Sequence, residues 1–263
     1  MIKKKHENFN RMFTPVPFSI TPPGLELPHL GLIALKTDLT IEDEMRFFFK
    51  NCQLSLLSSR IDCQDQVSKK GLKNMRLEFK DSLNLFPPKH KFDVIAYGCT
   101  SGALMIGEEK IENMIKSEVN VDNVTTPMKA LKRALISLNV KNIGYLSPYV
   151  SDISERMCAE LENNKVSISA YATFSEDLDS IVGRIEPESI FRAILTLVKN
   201  SKPKKLDAIF VSCTSLKCSS IIKKAEIKLG IPILSSNSVL AWDMAKLANI
   251  KNKALYISKI FDS

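Results

Sequence analysis

The chain has 263 residues, 44% of them hydrophobic, with 37 Lys and Arg against 29 Asp and Glu for a formal net charge of +8. That is apolar material for a full core in one large domain or two smaller ones, and no stretch approaches the roughly 20 consecutive apolar residues of a membrane span. Six cysteines are too sparse for a disulfide scaffold and none forms a Cys-x-x-Cys pair, so reduced thiols and a cytoplasmic location are expected.

Residues 1–30 are proline-rich and lack a sustained period, which predicts an N-terminal arm, and the basic start Lys3-Lys4-Lys5 is not followed by the apolar run of a signal peptide. After the arm, apolar runs rich in β-branched residues alternate with segments of helical spacing. The runs predict strands over 31–37, 54–58, 92–98, 142–147, 166–174, 206–212 and 231–235. Helices are predicted over 41–51, 72–83, 127–138, 151–163, 187–199, 216–229 and 238–249. In the third of these, Met128, Leu131, Ala134, Leu135 and Leu138 share a face, and Pro127 suits the first turn. Such alternation implies an α/β fold of mostly parallel sheet with helices on both faces.

The chain also resembles itself. Phe92-Asp93-Val94-Ile95-Ala96-Tyr97-Gly98-Cys99-Thr100-Ser101 and Leu206-Asp207-Ala208-Ile209-Phe210-Val211-Ser212-Cys213-Thr214-Ser215 share an apolar-Asp start, an apolar strand and a Cys-Thr-Ser tripeptide, 114 positions apart. Two similar α/β halves would each place one tripeptide at the carboxyl end of a strand, where open α/β sheets bind ligands. A cysteine passing from strand into helix would meet free N–H groups and the positive end of the helix dipole, which lower a thiol pKa and attract carboxylates. The hydroxyls of Thr100, Ser101, Thr214 and Ser215 could then hold a substrate carboxylate, with Gly98 and Gly102 permitting close backbone approach.

Two thiols facing each other across a cleft suit two chemistries. One is racemisation, in which one thiolate removes an α-proton and the other thiol returns one to the opposite face; the other is addition of a thiolate to a carbon-carbon double bond, rotation and collapse. The remaining cysteines, Cys52, Cys63, Cys158 and Cys218, read as packing residues. Metal ligation is not expected, since His6, His29 and His90 lie outside these motifs and no close ligand set occurs. No phosphate loop or Gly-x-Gly-x-x-Gly follows a strand, so no nucleotide cofactor is implied. The lysines, including Lys202-Pro203-Lys204-Lys205, lack aromatic interleaving, and a solvated basic face explains the net charge better than a nucleic-acid partner.

At these residues the sequence resembles the aspartate/glutamate racemase superfamily, in its branch of maleate isomerases, arylmalonate decarboxylases and ectoine-utilisation A-type proteins. The resemblance runs from about Gly31 to Ala248. It is carried by Gly31-Leu32-Ile33 with Thr37-Asp38-x-Thr40-x-Glu42, Ser59-Arg60-Ile61, Gly98-Cys99-Thr100-Ser101-Gly102 with Ile106-Gly107-Glu108, and Thr125-Thr126-Pro127. Further carriers are Leu146-Ser147-Pro148-Tyr149, Gly183-Arg184-Ile185, Ser212-Cys213-Thr214-Ser215-Leu216, and Ser235-Ser236-Asn237 with Ala241-Trp242. It implies two pseudo-symmetric α/β domains, 31–125 with 235–263 and 126–234, an active site between them, no metal or organic cofactor, and a homodimer.

By position, Cys99 resembles the first catalytic cysteine, Cys213 its proton-transferring partner and Tyr149 a substrate-contacting hydroxyl. The presence of both cysteines departs from the decarboxylases, which keep one. Asp38 and Asp179 stand where maleate isomerases carry asparagine. An ionised carboxylate there would repel a dicarboxylate and suit a substrate ammonium or amide N–H; alternatively Asp38 caps the helix near Ile41 and Asp179 sits on a solvated loop. Arg60 reads equally as a carboxylate ligand or an exposed ion pair. The expectation is a two-cysteine isomerase or racemase of a small amino-acid-like carboxylate, with maleate cis-trans isomerisation as the alternative and a non-catalytic carboxylate sensor as the non-enzymatic one.

Overall fold

A computed structural model describes residues 16–21, 26–201, 205–250 and 258–263. Most of the expected arm, His6 and the run Lys202-Pro203-Lys204 lie outside the described residues. Among the described residues, eight strands form two sheets. The first holds β1 (His29–Leu35), β2 (Ser55–Ile61), β3 (Lys91–Gly98) and β4 (Asn120–Thr125) in the order β2-β1-β3-β4. The second holds β5 (Asn142–Ser147), β6 (Ser167–Thr173), β7 (Ala208–Val211) and β8 (Ile233–Ser235) in the order β6-β5-β7-β8. All six pairings are parallel, and the two orders are the same permutation.

The central strands explain themselves: Leu30, Leu32, Ile33 and Ala34 of β1 and Val94, Ile95, Ala96 and Tyr97 of β3 have no exposure, as continuous apolar strands buried on both faces require. The sequence reading missed β4 because it is a polar edge, Asn120-Val121-Asp122-Asn123-Val124-Thr125, whose first four residues are exposed or half-buried.

The helices are α1 (Ile41–Phe48), α2 (Lys69–Asn74), α3 (Phe79–Leu83), α4 (Thr100–Ile106), α5 (Glu108–Glu118), α6 (Pro127–Ser137), α7 (Ser151–Asn163), α8 (Asp179–Val182), α9 (Pro187–Asn200), α10 (Ser219–Leu229) and α11 (Ser236–Leu247). The single helix expected over 72–83 is instead α2, a 3-10 turn (Met75–Leu77) and α3. It begins earlier because Ser68 accepts from the Gly71 N–H and caps α2. Between α4 and α5, Gly107 takes φ 99°, a conformation that a side chain resists.

The halves are joined by buried polar contacts. Glu44 of α1, 3% exposed, accepts from the N–H groups of Cys218 and Ser219 at the start of α10 and from Asn237 Nδ2 in α11. Helix α11 is buried from Ser236 to Ala245, packs against α1, α6 and β3, and starts with a reciprocal Ser235–Ser238 capping box. Among the described residues, no helix is long and apolar enough to cross a membrane.

Candidate active site

In a sheet of order 2-1-3-4 the chain leaves β1 toward one side and β3 toward the other, so the loops after these two strands open a crevice at their carboxyl ends. The second sheet repeats this after β5 and β7. Thr37 follows β1, Cys99 follows β3, Tyr149 follows β5 and Cys213 follows β7, and all four line one cavity. Thr100, Ser101, Asp179, Thr214 and Ser215 line it too, as do Cys63, Gln64, Gln66, Gly71 and Met75 from the segment after β2. Its volume is about 30 Å³, room for a water or two. Cys63, Gln64, Gly71 and Met75 also line an outer cleft of about 230 Å³, so they stand between the two hollows.

The two Cys-Thr-Ser turns have different local structures. Cys99 is extended and caps α4, its Sγ accepting from the Gly102 N–H at 3.2 Å and lying 3.8 Å from Ser101 Oγ. Gly102 is required there, because a Cβ would sit 2.9 Å from that sulfur and 2.5 Å from Tyr97 Oη. Cys213 has φ 122°, a strained value for a residue with a side chain, and no helix follows it until Ser219. The helix expected from Leu216 therefore starts late.

Ser236, at the start of α11, ties the turns together: its Oγ accepts from Thr100 Oγ1 at 2.8 Å and from the Cys213 N–H at 3.0 Å. Thr214 Oγ1 donates to the Gly98 carbonyl and Asn237 Nδ2 to the Thr214 carbonyl, completing the link.

These geometries correct two expectations. The thiols are not lowered by helix ends: burial pushes Cys99 up to about 12 and Cys213 further still, and the nearby Asp179 carboxylate adds to both shifts. Opposing this, the Gly102 N–H and Ser101 hydroxyl favour the Cys99 thiolate, and the Ser215 N–H and Tyr149 hydroxyl favour that of Cys213. Desolvation wins because both sulfurs are almost fully buried. The hydroxyls of Thr100, Thr214 and Ser215 are also committed to protein acceptors, leaving Ser101 as the least engaged of the four.

Asp179 is buried, not on a solvated loop: Oδ1 accepts from Ser215 Oγ and Oδ2 from Thr37 Oγ1, each at 2.6 Å. Asp38 stands behind the cavity wall rather than lining it. Its Oδ1 accepts from the N–H groups of Thr40 and Ile41, and its buried Oδ2 has no hydrogen-bond partner among the described residues. Burial raises its pKa, with Asp179 contributing. Arg60 is spent elsewhere, on Glu42 at 2.5 Å and on the carbonyls of Leu35 and Asp38. Cys63, expected merely to pack, lines the cavity and lies 3.4 Å from Thr37 Oγ1. The sequence signal for Thr37 and Ser236 was their place beside Asp38 and Asn237 in short shared motifs; nothing in the sequence singled out Cys63.

The arylmalonate decarboxylase family model matches residues 94–261. The maleate isomerase of Nocardia farcinica (strain IFM 10152) is 24% identical over 82% of this chain and 88% of its own length. A solved structure of maleate isomerase Iso from Pseudomonas putida S16 superposes with TM-score 0.79 at 17% identity, covering 90% of this chain and 98% of that one. The Nocardia farcinica maleate cis-trans isomerase, solved as a mutant with a covalently bound succinylcysteine intermediate, gives 0.77 at 19% identity, covering 90% and 98%.

Proposed function

Since the chain belongs to the arylmalonate decarboxylase family, we propose that it is a cofactor-independent isomerase in which Cys99 and Cys213 act on a small unsaturated carboxylate, interconverting its cis and trans forms. The observation that carries this reading is the pair of buried thiols, delivered by the turns after β3 and β7 to the wall of one cavity. The extensive likeness to maleate isomerases favours addition to a double bond over α-proton exchange on an amino-acid-like carboxylate, and maleate is the probe that tests it.

In the proposed reaction the Cys99 sulfur adds to one alkene carbon while the neighbouring carbon gains a proton from Cys213, which takes up the one Cys99 gives away. The former double bond is now single and rotates. In the reverse step Cys213 returns its proton to the departing Cys99 sulfur as it removes the proton from the neighbouring carbon, and the double bond re-forms as the trans isomer. Atoms and charge balance without an external oxidant or reductant. Ser101, the least engaged of the hydroxyls, holds the carboxylate beside Cys99, and Tyr149 holds its hydroxyl against Cys213. Protonated resting thiols fit this relay, because each proton released at one sulfur is consumed at the other end of the same step.

The test is proton NMR of maleate incubated with the enzyme in deuterium oxide, joined to intact-protein mass spectrometry of Cys213→Ala. Fumarate formation, its loss in Cys99→Ala, and a substrate adduct on Cys99 in Cys213→Ala are expected. Full turnover by Cys99→Ala would sink the mechanism, and deuterium entering the α-position of aspartate-like compounds with maleate untouched would return the protein to racemase chemistry.

A further inference from the structure

The cavity that holds the two thiols also holds a carboxylate. Asp179 is 5% exposed and lines the cavity between Thr37 and Ser215, whose hydroxyls each donate to one of its oxygens. A carboxylate offers about four acceptor positions, and these two bonds fill half of them. Among the described residues no Lys or Arg side chain pairs with Asp179 and none lines the cavity. A second buried carboxylate, Asp38, lies near enough that Asp179 adds to the rise that burial gives its pKa. Buried acceptors left open are costly, and a buried negative charge without a cation is costlier.

We infer that the Thr37–Asp179–Ser215 cluster in the cavity wall binds an N–H group of the substrate, so that the preferred substrate carries, besides a carboxylate, an amide or ammonium nitrogen. This rests on the proposed reading of the cavity as the substrate site and makes its substrate class specific. A dicarboxylate would bring its second negative charge against Asp179. An N–H group fills the open acceptor positions, and an ammonium also offsets the charge that helps keep both thiols protonated.

Isothermal titration calorimetry with saturated, unreactive four-carbon ligands separates this inference from the catalytic proposal. The probes are succinate, succinamate and 4-aminobutanoate, titrated into wild-type protein and into Asp179→Asn. At least one nitrogen-bearing ligand should bind wild type tenfold or more tighter than succinate, and Asp179→Asn should shrink that preference at least fivefold. Succinamate leading identifies an amide as the recognised group; 4-aminobutanoate leading identifies a cation. Succinate binding as tightly as the others, or none of the three binding, overturns the inference. The wild-type order decides even where Asp179→Asn does not fold, and it stands whether or not the cysteine variants behave as expected.

Discussion

Gly102 shows how narrow the tolerances around Cys99 are. The Cys99 sulfur rests on its N–H, and an added Cβ would also meet Met75 Cε at 2.8 Å. Gly102→Ala must therefore displace the sulfur, and a displacement of about 1 Å costs on the order of 100-fold in rate. The expected result is a kcat/KM lowered by that order with the far-UV circular dichroism of the wild type; an unchanged kcat/KM would mean that the sulfur position is not critical. The residue scale also explains why the duplicated tripeptide misled as to thiol acidity. The same Thr-Ser follows both cysteines, yet Cys99 caps a helix and Cys213 sits in a strained turn, and for both the loss of water outweighed the nearby N–H groups.

Among the elements, α1, α10 and α11 meet at a single carboxylate. Replacing Glu44 with Ala leaves the N–H groups of Cys218 and Ser219 and the Asn237 amide without their acceptor. Stability should fall by about 3 kcal/mol in urea unfolding, as expected for several buried donors orphaned together. Activity should fall as well, because Asn237 also holds the Thr214 carbonyl beside Cys213. Asp43→Ala is the control: that carboxylate is on the surface and pairs with Arg46, so a change within about 0.5 kcal/mol is expected. Equal losses in the two variants would remove Glu44 from its place as the junction of the halves.

For the molecule as a whole, buried thiols tie stability to alkaline pH. Cys99, Cys213 and Cys218 all have folded pKa values raised above the ordinary 9.0, Cys99 to about 12, with burial the main cause. The native state keeps these protons after the unfolded chain has lost them. Their stabilising contribution is thus complete below pH 9 and is lost as pH rises toward 12 and beyond, at up to about 1.4 kcal/mol per pH unit for each thiol. Urea midpoints measured from pH 8 to 10.5 should decline, and less steeply in Cys99→Ala than in wild type. Parallel pH profiles for the two proteins would show that Cys99 ionises equally in both states.

The sequence by itself determined the α/β class, the internal duplication and the identity of the two cysteines, because strand and helix periods and a repeated tripeptide are local patterns that survive in any one-dimensional reading. It could not see β4, whose edge position lets polar residues stand in a strand. It left Asp38 and Arg60 with two readings each, since a helix cap, an ion pair and a substrate ligand draw on the same residue types. Tertiary structure alone decided which hydroxyls stay available, why the thiols remain protonated, and how Cys63, Asp179 and Ser236, up to 173 positions apart, reach one site. The reason is physical: burial and hydrogen-bond commitment depend on what the rest of the chain brings alongside, and here that partner comes from the other sheet.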